Sequence, residues 1–256
     1  MSKQSYCAEY LQQHDLAQYT LCLLAPADKR EALFVTFSIL QEIDAIYEKA
    51  GDPSAAQLRL KWWYDKLTSA YQGEVLQGHP ILSVFSNSCP EEGFQFFEIY
   101  INAAQDILCS EQKPDLLLHA MTHMEEARIA LAGIVLAVDN IPTEAEPMAV
   151  ARLLFNVPHS LSVGREPVLA HDLWADTQRV AEYVDKALQR IEELRCEYSS
   201  QDLPKTGASI FLSYAVTEYR LKHIRKLGYD LQNARLLGLP PFTAVRLLWR
   251  SFLQSY

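Results

Sequence analysis

The stretch Arg30-Glu-Ala-Leu-Phe-Val-Thr-Phe-Ser-Ile-Leu-Gln-Glu-Ile-Asp-Ala-Ile-Tyr-Glu48 decides the fold, because it is apolar on nearly every side and still carries acids near its end. Between Ala32 and Leu40 only one threonine and one serine interrupt the apolar residues. A helix of this kind belongs in the middle of a domain, with the rest of the chain packed around it. The sequence Gly51-Asp52-Pro53 predicts where this helix ends.

Two acids, Asp44 and Glu48, lie four residues apart near the end of this helix, so they share one face of it. The same face continues backward through Gln41, Leu40 and Phe37. Buried carboxylates cost several kcal/mol unless they are paired, protonated or bound to a cation. The pattern therefore predicts the wall of a polar or metal-binding cavity. The alternative is that this end of the helix has reached solvent, which is common for acids at this spacing.

The length and composition of the chain indicate one globular domain over residues 1–256, with 49% hydrophobic and 21% charged residues. No apolar run reaches the roughly 18 residues of a membrane span, and the N-terminus lacks the apolar core of a signal peptide. We therefore expect a cytoplasmic protein. The five cysteines are scattered and form no C-x-x-C pair, so we expect no zinc site.

Charge is distributed unevenly along the chain, whose formal net charge is −9. Residues 218–256 contain seven Lys or Arg and two acids, which leaves a strongly acidic remainder. An acidic body argues against nucleic acid as a partner, because nucleic-acid binding depends on neutralising phosphates. The basic C-terminal segment also places apolar residues at helical spacing, namely Phe242, Val245, Leu248, Trp249 and Phe252. It predicts a peripheral contact with the inner face of an anionic membrane or with an acidic partner; alternatively, it closes the bundle as its final helix.

Helical periodicity covers most of the chain, and no stretch shows the alternation of a β-strand. Besides the central helix, we expect one or two short helices over residues 5–24. The other predicted helices cover residues 55–71, 91–108, 115–138, 144–155, 172–198, 208–227 and 241–253. A long loop is expected at residues 156–167, which include two prolines and a glycine. The predicted fold class is all-α.

A second informative stretch is Leu58-Arg-Leu-Lys-Trp-Trp-Tyr-Asp65. Neighbouring tryptophans point about 100° apart on a helix, so one of Trp62 and Trp63 can lie in the core while the other faces a pocket. Core packing alone would also explain both of them. Arg59 is close enough in sequence to stack on these rings or to reach the acids of the preceding helix.

We therefore expect Asp44, Glu48 and Arg59 to meet at the mouth of a central cavity. The same cavity is expected to include Trp62, Trp63 and Asp65.

The chain resembles the squalene/phytoene synthase family in an ordered series of motifs over about its first 80 residues. The series is Tyr6-Cys7, His14-Asp15, Leu24-Ala25-Pro26, Arg30-Glu-Ala-Leu-Phe34, Glu42-Ile-Asp44, Leu58-Arg-Leu-Lys-Trp-Trp-Tyr-Asp65, Tyr71-Gln-Gly73 and His79-Pro80. Weaker similarity continues to the stretch from Tyr219 to Asp230. The resemblance implies an isoprenoid synthase-type helical bundle, in agreement with the helical periodicity.

Enzymes of this family join two prenyl diphosphates head to head, and the resemblance implies two Asp-rich motifs on facing helices that hold Mg²⁺ against the diphosphates. This chain keeps the first motif only in part, as Asp44-Ala-Ile-Tyr-Glu48. The second motif should fall within residues 153–165, which contain no acid. Glu125-Glu126 stand where the enzymes place a small pocket-lining residue, so we expect a plugged pocket.

These departures resemble the non-catalytic branch of the family, which includes the phytoene synthase-like mitochondrial complex I assembly factor and its bacterial relatives. The resemblance thus implies a pseudoenzyme that needs no cofactor and acts in assembly with a partner protein or in binding a prenyl diphosphate or lipid. The alternative is an active prenyltransferase that makes a squalene- or phytoene-type product, with Asp44 and Glu48 as Mg²⁺ ligands. A third interpretation is a helical adaptor without a ligand.

Overall fold

The computed structural model of the protein describes residues 5–49, 51–74, 76, 78–85, 88–110, 113–139, 141–199, 205–238 and 242–253. Every regular element within these ranges is helical, which confirms the all-α prediction for them. The α-helices are α1 (Tyr6–His14), α2 (Leu16–Leu23), α3 (Arg30–Glu48), α4 (Pro53–Tyr71), α5 (Leu82–Phe85), α6 (Phe94–Cys109), α7 (Pro114–Leu136), α8 (Glu146–Ser162), α9 (His171–Trp174), α10 (Thr177–Ser199), α11 (Ala208–Lys226) and α12 (Thr243–Leu253).

Helix α3 lies at the centre of the fold, as its sequence predicts. All residues from Leu33 to Leu40 are buried, including Thr36 and Ser38. The helix packs against α1, α2, α4, α6 and α7, so protein surrounds it and none of its sides has to be polar along that stretch. The chain leaves α3 before Gly51-Asp52-Pro53, as predicted, and Asp52 caps the next helix, α4, by accepting a hydrogen bond from the backbone amide of Ser54.

The remaining helices extend this core away from α3. Helix α6 packs on α7, α7 on α8, and α8 on both α10 and α11. One hydrophobic cluster draws on residues from Cys7 to Leu236. The assignment of residues 1–256 to a single domain stays a prediction.

The predicted loop at residues 156–167 is wrong in its first half. Helix α8 continues through Pro158 and ends only at Ser162. A proline inside a helix removes one hydrogen bond and crowds the preceding turn, which is why the sequence indicates a break. Here Pro158 is buried together with Leu154 and Val157, so packing keeps the helix continuous. As a result Asn156 and His159 are carried by a helix and not by a loop.

The helix predicted over residues 172–198 is in fact divided into α9 and α10. Asp176 lies between them, and its side chain accepts hydrogen bonds from the backbone amides of Gln178 and Arg179. Asp176 is thus the N-cap at which α10 begins as a separate helix. The spacing of apolar residues does not show this boundary.

Helix α12 contacts the rest of the protein through Leu247 and two arginines, and its other large apolar side chains among the described ones face outward. Leu247 is buried against α2 and α11. The guanidinium carbons of Arg246 and Arg250 lie 5.5 and 5.1 Å from the centre of the Tyr219 ring. The exposed apolar side chains, which we call the α12 face, are Phe242, Val245, Leu248 and Trp249, at 56–73% exposure. The Phe252 side chain of the same predicted stripe lies outside the described residues.

Within the described ranges, no helix combines the length and the apolar character needed to cross a membrane.

Candidate ligand-binding site

A cavity of about 560 Å³ lies among α2, α3, α7, α8, α11 and the 3-10 helix Ala234–Leu237. Its size falls within the range of small-molecule sites in proteins. The apolar part of its wall includes Leu33, Phe37, Ile129, Met148, Phe155 and Ile210. The charged part includes Glu48, Glu125, Arg128, Arg152 and Arg220. The expectation of a pocket plugged at Glu125 is therefore wrong, because this side chain is part of the wall.

Asp44 is fully buried beside the cavity, and donors from three other helices and its own surround its carboxylate. The Tyr100 hydroxyl donates to Oδ1 at 2.6 Å, and the Tyr47 hydroxyl lies 3.4 Å from the same oxygen. Arg128 Nη2 donates to Oδ2 at 3.0 Å, and Arg152 Nη2 donates to Oδ2 as well. Both oxygens of Asp44 are thus engaged by donors of the protein itself.

Glu125 of α7 joins the same two arginines from a second direction. Arg152 Nη1 donates to Glu125 Oε1 at 2.5 Å, and Arg128 Nε lies 3.6 Å from Oε2. Burial alone would raise the pKa of Glu125, but the charges of Arg128 and Arg152 outweigh it and lower the pKa. We call these four side chains, Asp44, Glu125, Arg128 and Arg152, the buried ion network. Its two carboxylates and two guanidiniums balance each other, which offsets much of their desolvation cost.

Glu48 follows Asp44 by one helical turn and lines the cavity without joining the network. Within the described part of the chain, no side chain donates a hydrogen bond to it. Burial, and after it the negative charge of Asp44, raise the pKa of Glu48 to about 7. Glu48 is therefore partly protonated near neutral pH.

Arg220 of α11 lines the cavity beside the network and also does not join it. Its guanidinium carbon lies 5.4 Å from the centre of the Phe155 ring. Its Nε is buried and has no hydrogen-bond partner. Burial lowers the pKa of Arg220, and the attraction of Asp15 and Glu125 does not make up for it.

The prediction that Arg59 meets Asp44 and Glu48 is wrong. Arg59 is exposed on α4, whose buried positions are Ala56, Leu60, Trp63, Leu67 and Ala70. At 100° per residue Arg59 lies at the margin of this buried face, where its side chain is exposed. The cations that contact Asp44 are Arg128 and Arg152 instead.

The tryptophan pair and Asp65 also lie away from the described cavity wall. Trp63 is buried, Trp62 is 41% exposed, and their ring centroids are 5.3 Å apart in an edge-to-face arrangement. Both rings contact His79. Asp65 pairs with Lys61 at 3.0 Å on the solvated side of α4. These positions favour the core-packing interpretation for the tryptophans and a surface role for Asp65.

Sequence reasoning missed Arg128, Arg152 and Arg220, although the sequence contained a signal for them. Arg152 lies in the apolar stretch Met148-Ala-Val-Ala-Arg-Leu-Leu-Phe155, and Arg128 directly precedes the apolar stretch Ile129-Ala-Leu-Ala-Gly-Ile-Val-Leu136. A single arginine within an apolar helical stretch indicates a buried cation, which needs an anionic partner. Buried acids on the central helix in turn need cationic partners.

The buried ion network does not fit a Mg²⁺ site. Mg²⁺ requires several oxygen ligands in octahedral arrangement, and both oxygens of Asp44 are already engaged. On α8, the residues that line the cavity include Arg152, Asn156 and His159, none of which is an acid. Among the residues that the structure describes, no group of three or more His, Cys, Asp or Glu is placed to hold a metal ion.

The fold and the site together define an all-α bundle built around a charged, partly apolar cavity. A family model described as squalene/phytoene synthase matches residues 11–113. A relative from Drosophila melanogaster, named NADH dehydrogenase (ubiquinone) complex I, assembly factor 6 homolog, is 19% identical over 284 residues. That match covers 98% of this chain and 84% of the relative.

Two solved structures share the fold. A dehydrosqualene synthase, crystallised in complex with a ligand, matches with a TM-score of 0.72 and 16% identity, over 98% of this chain and 96% of its own. The squalene synthase HpnC from Alicyclobacillus acidocaldarius matches with a TM-score of 0.65 and 19% identity, over 88% of this chain and 93% of its own. The predicted isoprenoid synthase-type bundle and the resemblance to the squalene/phytoene synthase family are confirmed, at low sequence identity.

Proposed function

We propose that this chain is a non-catalytic squalene/phytoene synthase-like protein that acts in assembly and binds an isoprenoid or lipid-like molecule in its cavity. One observation carries the proposal. The carboxylate that the resemblance assigns to the first metal motif, Asp44, is held by Arg128, Arg152 and Tyr100 of the same chain.

Freeing Asp44 for a metal ion would require its buried ion pairs to be broken. Removing one partner of such a pair typically costs about 3–5 kcal/mol. The arginines would then face Mg²⁺ across the same cavity, and like charges at close range in a poorly solvated site repel each other. As long as Asp44 stays in its ion pairs, Glu48 is the carboxylate of the first motif that could still bind a metal ion.

The complex I assembly factor homologue from Drosophila supports a role in assembly. On that basis the partner would be a subunit or another assembly protein of that complex.

The proposal is tested by looking for the reaction of an active prenyltransferase, which releases pyrophosphate from prenyl diphosphates. The protein is incubated with Mg²⁺ and farnesyl or geranylgeranyl diphosphate, and pyrophosphate release is measured beside an active dehydrosqualene synthase. We expect no release above the protein-free blank, and no Mg²⁺-dependent affinity for farnesyl diphosphate in the micromolar range by calorimetry. Release or affinity that disappears in Asp44→Asn would instead establish an active head-to-head prenyltransferase.

The α12 face supports peripheral attachment to an anionic membrane. Its four exposed apolar side chains include a tryptophan, which favours the boundary between lipid headgroups and hydrocarbon. The segment around it is the basic part of an otherwise acidic chain. Amphipathic helices that bind membranes in the interfacial plane combine these properties.

We expect the intact protein to float with anionic vesicles at low salt and to bind neutral vesicles more weakly. The double substitution Phe242→Ser and Trp249→Ser should reduce flotation at least tenfold, since each large apolar side chain contributes about 1.5–3 kcal/mol when buried. Leu58→Ser is the matched control, because Leu58 is 71% exposed on α4, outside the α12 face. Equally negligible binding of the unmodified protein to both kinds of vesicle would show that the α12 face has no membrane role.

A further inference from the structure

Besides the two cations of its ion network, the cavity wall contains the exposed Lys49 and one less exposed cation. Arg128 and Arg152 are balanced by Asp44 and Glu125, which they contact directly. Arg220 is the less exposed cation, and no carboxylate of the described residues forms an ion pair with it. Its buried Nε also lacks a hydrogen-bond partner. A partly buried charge without a counter-ion is unfavourable, so an anion that binds beside Arg220 would gain a favourable contact.

Asp15 and Glu125, whose charges attract Arg220, and Glu218 on the same helix are all engaged in other contacts. Asp15 caps α2 by accepting a hydrogen bond from the Gln18 amide at 2.9 Å. Glu218, on the same helix as Arg220, is paired with Arg195, Lys222 and Arg250. Glu125 belongs to the buried ion network.

Apolar side chains lie against Arg220 and along the wall of the same cavity. Phe155 stacks under the guanidinium, and Ile210, Val216 and Leu236 line the same cavity. The space therefore combines a cationic group that is free to bind with a wall suited to hydrocarbon. Such a combination matches a ligand with a charged head and an apolar tail.

We propose that Arg220 binds the head of an anionic amphiphile in this cavity, a carboxylate or a phosphate monoester, with no metal ion between them. The proposal rests on the proposed function, because an enzyme that uses Mg²⁺ would hold its anionic ligand through metal ions bound by carboxylates. A guanidinium binds an oxyanion by itself through paired hydrogen bonds and needs no bridging metal. The hydrocarbon tail would occupy the apolar part of the cavity.

Calorimetric titration of the full chain in the presence of EDTA tests the proposal, with farnesyl monophosphate, oleate and farnesol as probes. We expect at least one of the two anionic probes to bind at least tenfold more tightly than farnesol, and the ranking of the two acids identifies the preferred head. Arg220→Gln should weaken binding of that anion by about 10- to 100-fold, which is the usual range for a hydrogen bond to a charged group. Arg220→Lys should retain part of the affinity. Arg179 is an exposed arginine of α10, and the control variant Arg179→Gln should bind the same anion as tightly as the unmodified protein does.

Thermal melting without ligand separates binding from folding. Because Arg220 forms no ion pair with a described residue and its Nε is left unsatisfied, Arg220→Gln should melt at the same temperature as the unmodified chain or above it. The preferred anion should then raise the melting temperature of the unmodified chain more than that of the variant. Farnesol binding as tightly as both anions, no binding of either anion in EDTA, or unchanged affinity in Arg220→Gln would overturn the proposal. A clear loss of stability in that variant without ligand would overturn it as well.

The two proposals fail in different ways. Mg²⁺-dependent pyrophosphate release would refute the non-catalytic function and this inference together. Absence of metal-free anion binding, with no such release, would refute only the role of Arg220.

Discussion

Arg152→Met is expected to lower the free energy of unfolding by about 3–5 kcal/mol, because it leaves two buried carboxylates without their shared cation. Arg152 contacts both Asp44 and Glu125, whose side chains are 0% and 8% exposed. Methionine keeps much of the aliphatic volume of arginine, so the loss reports mainly the missing charge. For a chain of this size the melting temperature should fall by roughly 6–20 °C. Calorimetry or circular dichroism on heating measures the change.

A surface substitution of the same type provides the control. Arg179→Met removes an arginine whose side chain is 53% exposed and whose partners are Asp172 and Asp176. Its effect should stay within about 0.5 kcal/mol. Adding Asp44→Asn to Arg152→Met should recover part of the lost stability, since Arg128 then faces one carboxylate, Glu125, and no excess negative charge remains in the network. If the free energy of unfolding of Arg152→Met is within about 1 kcal/mol of that of the unmodified protein, the buried ion network does not stabilise the fold as its geometry indicates.

Glu48→Gln is expected to stabilise the protein by about 1–3 kcal/mol at pH 8 and to have little effect near pH 4. The pKa of Glu48 is about 7 in the folded state and 4.5 in the reference state of a free glutamate. Between these values the folded protein holds the proton and the unfolded chain releases it, so the folded state loses stability as the pH rises from 4.5 through 7. Glutamine cannot ionise, and the variant avoids this loss. Each unit of pKa difference corresponds to about 1.4 kcal/mol.

Urea unfolding of the unmodified protein and of Glu48→Gln at several pH values between 4 and 8 measures this effect. The informative quantity is the difference between the two proteins, because other groups that titrate contribute equally to both. Glu9→Gln, on the exposed side of α1, controls for the loss of one negative charge. A stability difference that does not change with pH, or that grows toward acid, would contradict the raised pKa of Glu48.

The sequence was sufficient to predict the all-α fold and the central position of α3, because both depend on the local spacing of apolar residues. The acids Asp44 and Glu48 could also be singled out, since carboxylates that continue an apolar face are unusual. Their counter-ions could not be assigned. Arg128 and Arg152 come from helices far along the chain, and the pairing of helices is decided by tertiary packing that no local pattern specifies.

Two segments show where packing decides what local rules cannot. Pro158 predicts a break, but burial of the surrounding turn keeps α8 intact, so Asn156 and His159 line the cavity from a helix. In α12, the spacing of apolar residues correctly groups one face of the helix. It does not tell which face meets the protein, because the stacking of Arg246 and Arg250 on Tyr219 turns the apolar side outward.

The sequence separation within the buried ion network has a consequence for how the protein is made. Asp44 and its two cations, Arg128 and Arg152, are 84 and 108 residues apart along the chain. A ribosome adds about 5–20 residues per second, so roughly 5–20 s pass between the synthesis of Asp44 and that of Arg152. Throughout that interval the central helix of the nascent chain carries an acid whose partners have not all been made. The synthesis of α8, and not that of α3, is therefore the step that allows the centre of the protein to close.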